Sequence, residues 1–170
     1  MRYAIVYSSK TGNTAQLARC IEGLLPAEDL LYCGAPAAEA AQADLLFVGS
    51  WTDKGTCCPE IAQFLGGLHG KQVYLFGTAG FGGAPAYFAQ IGTRMAENLS
   101  ADNDLRGTFL CQGRMPQAVR ARYEALAQTD PQKAQPMLEN FDRALSHPDQ
   151  ADLDALARDV SALLDRLRAN

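Results

Sequence analysis

The 170-residue sequence has little histidine and none of the spacings that build most metal and disulfide sites. It has two histidines, His69 in Gly-Leu-His-Gly and His147 before Pro148, and neither has neighbours at a ligand spacing. Its five cysteines, Cys20, Cys33, Cys57, Cys58 and Cys111, are odd in number and contain no Cys-x-x-Cys pair. That excludes a zinc-ribbon pattern and offers no disulfide framework, so free thiols in a reducing compartment are expected. No apolar run is long enough to cross a bilayer, and the N-terminus runs straight into a strand pattern. A cytoplasmic location is the expectation. Positive charge is not in excess either. A net charge of −4 argues against a nucleic-acid surface and against an anionic membrane. Neither common nucleotide loop occurs, whether Gly-x-x-x-x-Gly-Lys-Ser/Thr or Gly-x-Gly-x-x-Gly.

What is present is a hydroxyl-rich turn, Ser8-Ser9-Lys10-Thr11-Gly12-Asn13-Thr14. It follows the apolar run Tyr3-Ala4-Ile5-Val6-Tyr7 and precedes Leu17, Ala18, Ile21, Leu24 and Leu25 at helical spacing. Strand, turn and helix start occur in that order. Such a turn aims N–H groups and hydroxyls at one point, at the positive end of a helix dipole. That is an anion site, and its neutral donors suit a phosphomonoester. The competing reading is an ordinary N-cap, with Ser9 or Thr11 closing the first turn.

Strands and helices alternate along the chain. Strand patterns lie at 2–7, 30–32, 44–49, 72–77 and 108–111. The runs Leu45-Leu46-Phe47-Val48 and Val73-Tyr74-Leu75-Phe76 are continuously apolar, as in strands buried on both faces. Helical patterns lie at 13–24, 37–42, 59–65 and 84–99. This order predicts a doubly wound α/β domain. Beyond Cys111 the pattern is helical at 117–128, 131–144 and 151–168, with Pro136 interrupting the second. One terminal helix covers the sheet, so 114–147 is extra material. A single domain over 1–170 with a helical insertion at about 114–147 is expected.

Ligands of open parallel sheets bind beyond the carboxyl ends of the strands. Three such ends stand out. One is the hydroxyl turn. The second carries Ser50, Trp51, Thr52, Asp53, Lys54 and Gly55, with the only tryptophan in a polar setting. An indole there can stack on a flat heteroaromatic ring, and Gly55 permits a peptide flip. The third carries Thr78, Ala79, Gly80, Phe81, Gly82 and Gly83, where glycines allow close backbone approach. Cys57 and Cys58 sit at the edge of the second loop and read as inert small residues rather than a redox pair. Arg114 is a candidate contact for a partner or the ring edge, while Arg106, Arg120 and Arg122 are expected on solvated faces.

Ser9-Lys10-Thr11-Gly12-Asn13-Thr14 resembles the Ser/Thr-x-Thr-Gly-x-Thr phosphate signature of the flavodoxin family. The resemblance covers roughly 1–113 and the terminal helix. It implies a five-stranded parallel sheet of order 2-1-3-4-5 with extra helices after strand five, and it implies bound FMN. By that resemblance Ser9, Lys10, Thr11, Gly12, Asn13 and Thr14 hold the phosphate. Ser50, Trp51, Thr52, Asp53, Lys54 and Gly55 line the isoalloxazine, and Thr78, Ala79, Gly80, Phe81, Gly82 and Gly83 form the second ring loop. The chain departs from the family's usual acidic residue and tyrosine in that second loop, and Lys54 brings a positive charge near the ring.

The function implied is an electron-transfer flavoprotein that shuttles electrons between redox partner proteins. The alternative is an FMN-dependent NAD(P)H oxidoreductase acting on a small acceptor. The stretches Trp51 to Thr56 and Cys111 to Pro116 also look like those of flavodoxin-family proteins of gut anaerobes that accompany bilirubin reductase. This implies a flavin-dependent reductase as partner.

Overall fold

The computed structural model describes residues 1–169. The elements in chain order are β1 (Tyr3–Tyr7), α1 (Asn13–Glu22), β2 (Leu30–Gly34), β3 (Leu45–Asp53), β4 (Thr56–Cys57) and α2 (Pro59–Gly66). They continue with β5 (Gln72–Ala79), α3 (Pro85–Ala96), β6 (Asp104–Gln112), α4 (Gln117–Ala127), α5 (Pro131–Ala144) and α6 (Gln150–Arg168). Five strands pair in parallel in the order β2-β1-β3-β5-β6. That is the expected order of the five main strands. The added β4 pairs antiparallel with β3 through Thr52–Cys57 and Asp53–Thr56.

The apolar runs divide by alternation, as the pleat requires. Ala4, Val6, Leu46, Val48, Val73 and Leu75 face one core, packed with residues of α2 and α3 such as Ile61, Leu65, Ile91 and Met95. Tyr3, Ile5, Leu45, Phe47, Tyr74 and Phe76 face the other, with Leu17 and Ile21 of α1 and Leu156, Val160, Leu163 and Leu164 of α6. Continuous apolar runs therefore mean two buried faces here.

Three local expectations are revised. The 37–42 helix is a 3-10 turn, Ala38–Gln42, too short to close α-helical bonds. β3 runs past Gly49 to Asp53 because Ser50 and Trp51 pair with Gly77 and Thr78 of β5, so pairing overrides their polar composition. Pro136 does not interrupt α5, which starts at Pro131 and runs through it. The proline removes one backbone donor near the N-terminal end, while Asp130 caps the helix by accepting from the Lys133 N–H at 3.1 Å.

The chain leaves β1 towards β2 on one side and reaches β3 on the other. That reversal is the topological switch point, and the carboxyl ends of β1, β3 and β5 converge there.

Candidate functional site

α1 starts at Asn13, and the residue at its N-cap position, Gly12, is left-handed at φ 89° and has no side chain to cap with. The Ser9 hydroxyl accepts from the N–H of Ala15 at 3.2 Å, so part of the expected capping role falls to Ser9 and none to Thr11. Among the described residues, the N–H groups of Asn13 and Thr14 have no protein partner. They are the free donors of a helix N-terminus, offered to an anion.

Side chains lock this turn to its neighbours. The hydroxyls of buried Thr14 and Thr78 lie 3.3 Å apart, tying α1 to the end of β5. Thr52 donates to the Thr78 carbonyl at 2.9 Å. The Ser50 hydroxyl accepts from the Cys58 N–H at 2.9 Å and donates to the Trp51 carbonyl at 2.6 Å. Thr14 and Ser50 thus hold the frame of the site.

A cleft of about 270 Å³ opens beside the turn. Lys10, Thr11, Asn13, Trp51, Thr52, Thr78, Ala79 and Gly80 line it, bringing all three expected loops together. Lys10 Nζ lies 4.9 Å from the Trp51 indole centroid. The same cleft is lined by Gly113, Arg114, Met115, Pro116, and Val119 and Arg122 of α4, a segment in which only Arg114 was expected at the site. Arg122, expected on a solvated face, instead stands at the cleft; its exposure is as expected but its direction follows from where α4 starts.

This strap is fastened at two points. Asn13 donates through Nδ2 to the Arg114 carbonyl at 2.9 Å. A Cβ on Gly113 would lie 2.5 Å from the same Nδ2, and one on Gly80 would lie 2.6 Å from Met115 Cγ. Both positions need glycine for close approach. α5 adds a third hold, where buried Asn140 donates to the Gly80 carbonyl at 3.0 Å and accepts from Gln112 Nε2 at 3.1 Å. Asn13 Oδ1 is buried and has no partner. A buried orphan acceptor beside free N–H donors marks a place for a polar ligand.

The other expected residues sit at the margin. Asp53, Lys54 and Gly55 form the β3–β4 hairpin, with Lys54 at φ 50° and Gly55 at φ 83°. Two positive φ values in a two-residue loop are the hairpin turn that favours glycine second. Phe81 is 41% exposed and is not among the cleft residues. Gly82 packs on Gln112, and Gly83 lines a neighbouring hollow of about 680 Å³ with His147 and Asp152. His147 does have close acids: its Nδ1 is 2.6 Å from Asp152 and 3.9 Å from Asp149. Those carboxylates form the capping box of α6, so the cluster has a structural reason. Cys57 is buried, and desolvation pushes its thiol up, against a reactive thiolate.

The flavodoxin domain model matches residues 4–161. A flavodoxin-like domain-containing protein BilS of Clostridium symbiosum is 40% identical, the match covering 91% of this chain and 92% of that protein. A BilS of Clostridioides difficile is 30% identical over 90% of each. The oxidised flavodoxin 2 of Bacillus cereus superposes with a TM-score of 0.63 at 19% identity, covering 98% of this chain and 99% of that one. Among the described residues no helix is long and apolar enough to cross a membrane. The chain belongs to the flavodoxin family, whose cofactor is FMN.

Proposed function

We propose that the chain carries electrons one at a time on FMN held in this cleft, passing them between redox partner proteins. The observation that carries the reading is that Trp51 and the Met115, Pro116 and Val119 side chains line the same cleft. A flavin ring held among these side chains would have little free face for a nicotinamide to stack on, and one-electron transfer needs none. A hydride-accepting reductase needs that face.

The residues divide the work. The N–H groups of Asn13 and Thr14, with the Thr11 hydroxyl, bind the phosphate. Asn13 Oδ1 accepts from a polar group of the ligand and Trp51 stacks on the ring. Gly80 and Gly113 let the segment after β6 close on β5 and the phosphate turn. FMN supplies one-electron redox chemistry when bound, and the protein tunes it. The partner class favoured is a flavin-dependent reductase, as the likeness to proteins that accompany bilirubin reductase implies.

An anaerobic reductive titration of the purified yellow protein tests this. The expected result is FMN released on denaturation and reduction resolved into two one-electron stages. A colourless protein that takes up no FMN would contradict it.

A further inference from the structure

The mouth of the cleft is basic although the chain has a net charge of −4. Lys10, Arg114 and Arg122 line the cleft. Lys54 stands at the tip of the β3–β4 hairpin. Arg94 reaches that tip from α3, because a Cβ on Gly55 would lie 2.6 Å from its Nη1. All five side chains are exposed. Among the described residues none of the five makes an ion pair. By contrast, Arg106, Arg120 and Arg168 are paired with Asp104, with Glu124 and Asp142, and with Asp165.

The acids closest in sequence to these cations are Asp53, Glu97 and Glu124, the last already paired with Arg120. Asp53 lies on the hairpin, and Glu97 follows Arg94 by one turn of α3. The phosphate of FMN brings roughly −1.5 to −2, seated at the backbone donors of α1. Together these leave the rim positive. Single unpaired cations on a surface mean little, but three lining one cleft, with two more at the hairpin that follows its Trp51 and Thr52, focus a field there.

We propose that this rim docks the acidic face of the redox partner protein, orienting it over the exposed flavin edge. The proposal rests on the electron-carrier reading. The cations come from the phosphate turn, the hairpin tip, α3, the segment after β6 and α4, so the patch is broad. That breadth suits a protein face more than a small anion.

The test uses the holoprotein, photoreduced without oxygen, in stopped-flow against a strongly acidic rubredoxin, a strongly basic cytochrome c, and ferricyanide. Each transfer moves one electron from the reduced flavin to a ferric iron, which becomes ferrous, and the flavin proton goes to solvent. The expected result is a rate to rubredoxin that falls about tenfold or more from low to high salt, with no such fall for cytochrome c. Arg94→Glu, with loading read from flavin absorbance, should lower the low-salt rate to rubredoxin about threefold or more and flatten its salt dependence. A rate to rubredoxin that ignores salt or rises with it overturns the proposal. So does a salt effect seen with ferricyanide alone, which would make the rim a small-anion site. No transfer to any of the three at any salt contradicts the carrier reading itself.

Discussion

A methyl group at Gly113 would sit 2.5 Å from Asn13 Nδ2 and 3.1 Å from Thr78 Cβ. It would push the strap off the phosphate turn and cost the bond from Asn13 to the Arg114 carbonyl. Gly113→Ala should therefore weaken FMN binding about tenfold or more, roughly 1.4 kcal/mol, read by quenching of flavin fluorescence. The same titration with riboflavin, which lacks the phosphate, should show weaker binding than FMN to the wild-type chain and a smaller effect of the substitution. Equal affinities for the two flavins would remove the phosphate cradle from the account. At this scale the sequence was informative about the turn, because hydroxyls, one glycine and a helical stripe are local signals. Met115, Val119 and Arg122 were not legible. Their role depends on where the chain turns after β6, and no local pattern in 113–122 encodes it.

At the scale of elements, β3 decides the site because it delivers Ser50, Trp51 and Thr52 in register with β5. Gly49 makes this possible: a Cβ there would lie 2.2 Å from the Phe76 ring. Gly49→Ala should destabilise the fold by about 1–3 kcal/mol, seen as a lower urea midpoint with an unchanged slope. α5 contributes differently. Asn140→Ala removes one of two donors to the Gly80 carbonyl and one of two acceptors of Gln112 Nε2, which still bond each other at 3.0 Å, and it should cost about 1 kcal/mol in the same assay. β1, β3 and β5 were readable from their apolar runs, since burial on both faces leaves a clear composition, whereas the mostly exposed first four residues of β6, Asp104 to Gly107, were missed. The last four residues of β3 and the two-residue β4 were not readable either, because Ser50 and Trp51 join the strand through Gly77 and Thr78, distant in sequence, and Thr52 and Asp53 only through the short polar hairpin to Cys57 and Thr56. Nor did Pro136 stop α5, whose start at Pro131 is set by the Asp130 cap.

For the whole molecule, buried groups set how stability responds to pH. Burial, with Asp159 accepting from the hydroxyl, pushes Tyr74 far above its ordinary 10.0, and burial pushes Cys111 far above 9.0. Both stay protonated in the folded chain while the unfolded chain releases its protons above those ordinary values. The unfolded state then binds fewer protons, so stability is fully present below about pH 9 and falls as pH rises further. The urea midpoint should drop between pH 8 and pH 10.5, and the drop should be smaller in Cys111→Ala. A midpoint that holds or climbs over that range would contradict the burial of these groups.

The global charge and the local one oppose each other, with an acidic body and a basic opening. An electron carrier uses such an opening for encounter, whereas a reductase uses a face over the ring. The measurement that separates them most directly is a pair of anaerobic stopped-flow experiments on the same FMN-loaded protein. Mixed with NADPH, the oxidised form should stay yellow over minutes; once photoreduced, it should pass single electrons to an acceptor protein within seconds. Rapid bleaching by NADPH, with no transfer to protein acceptors, would contradict the electron-carrier function.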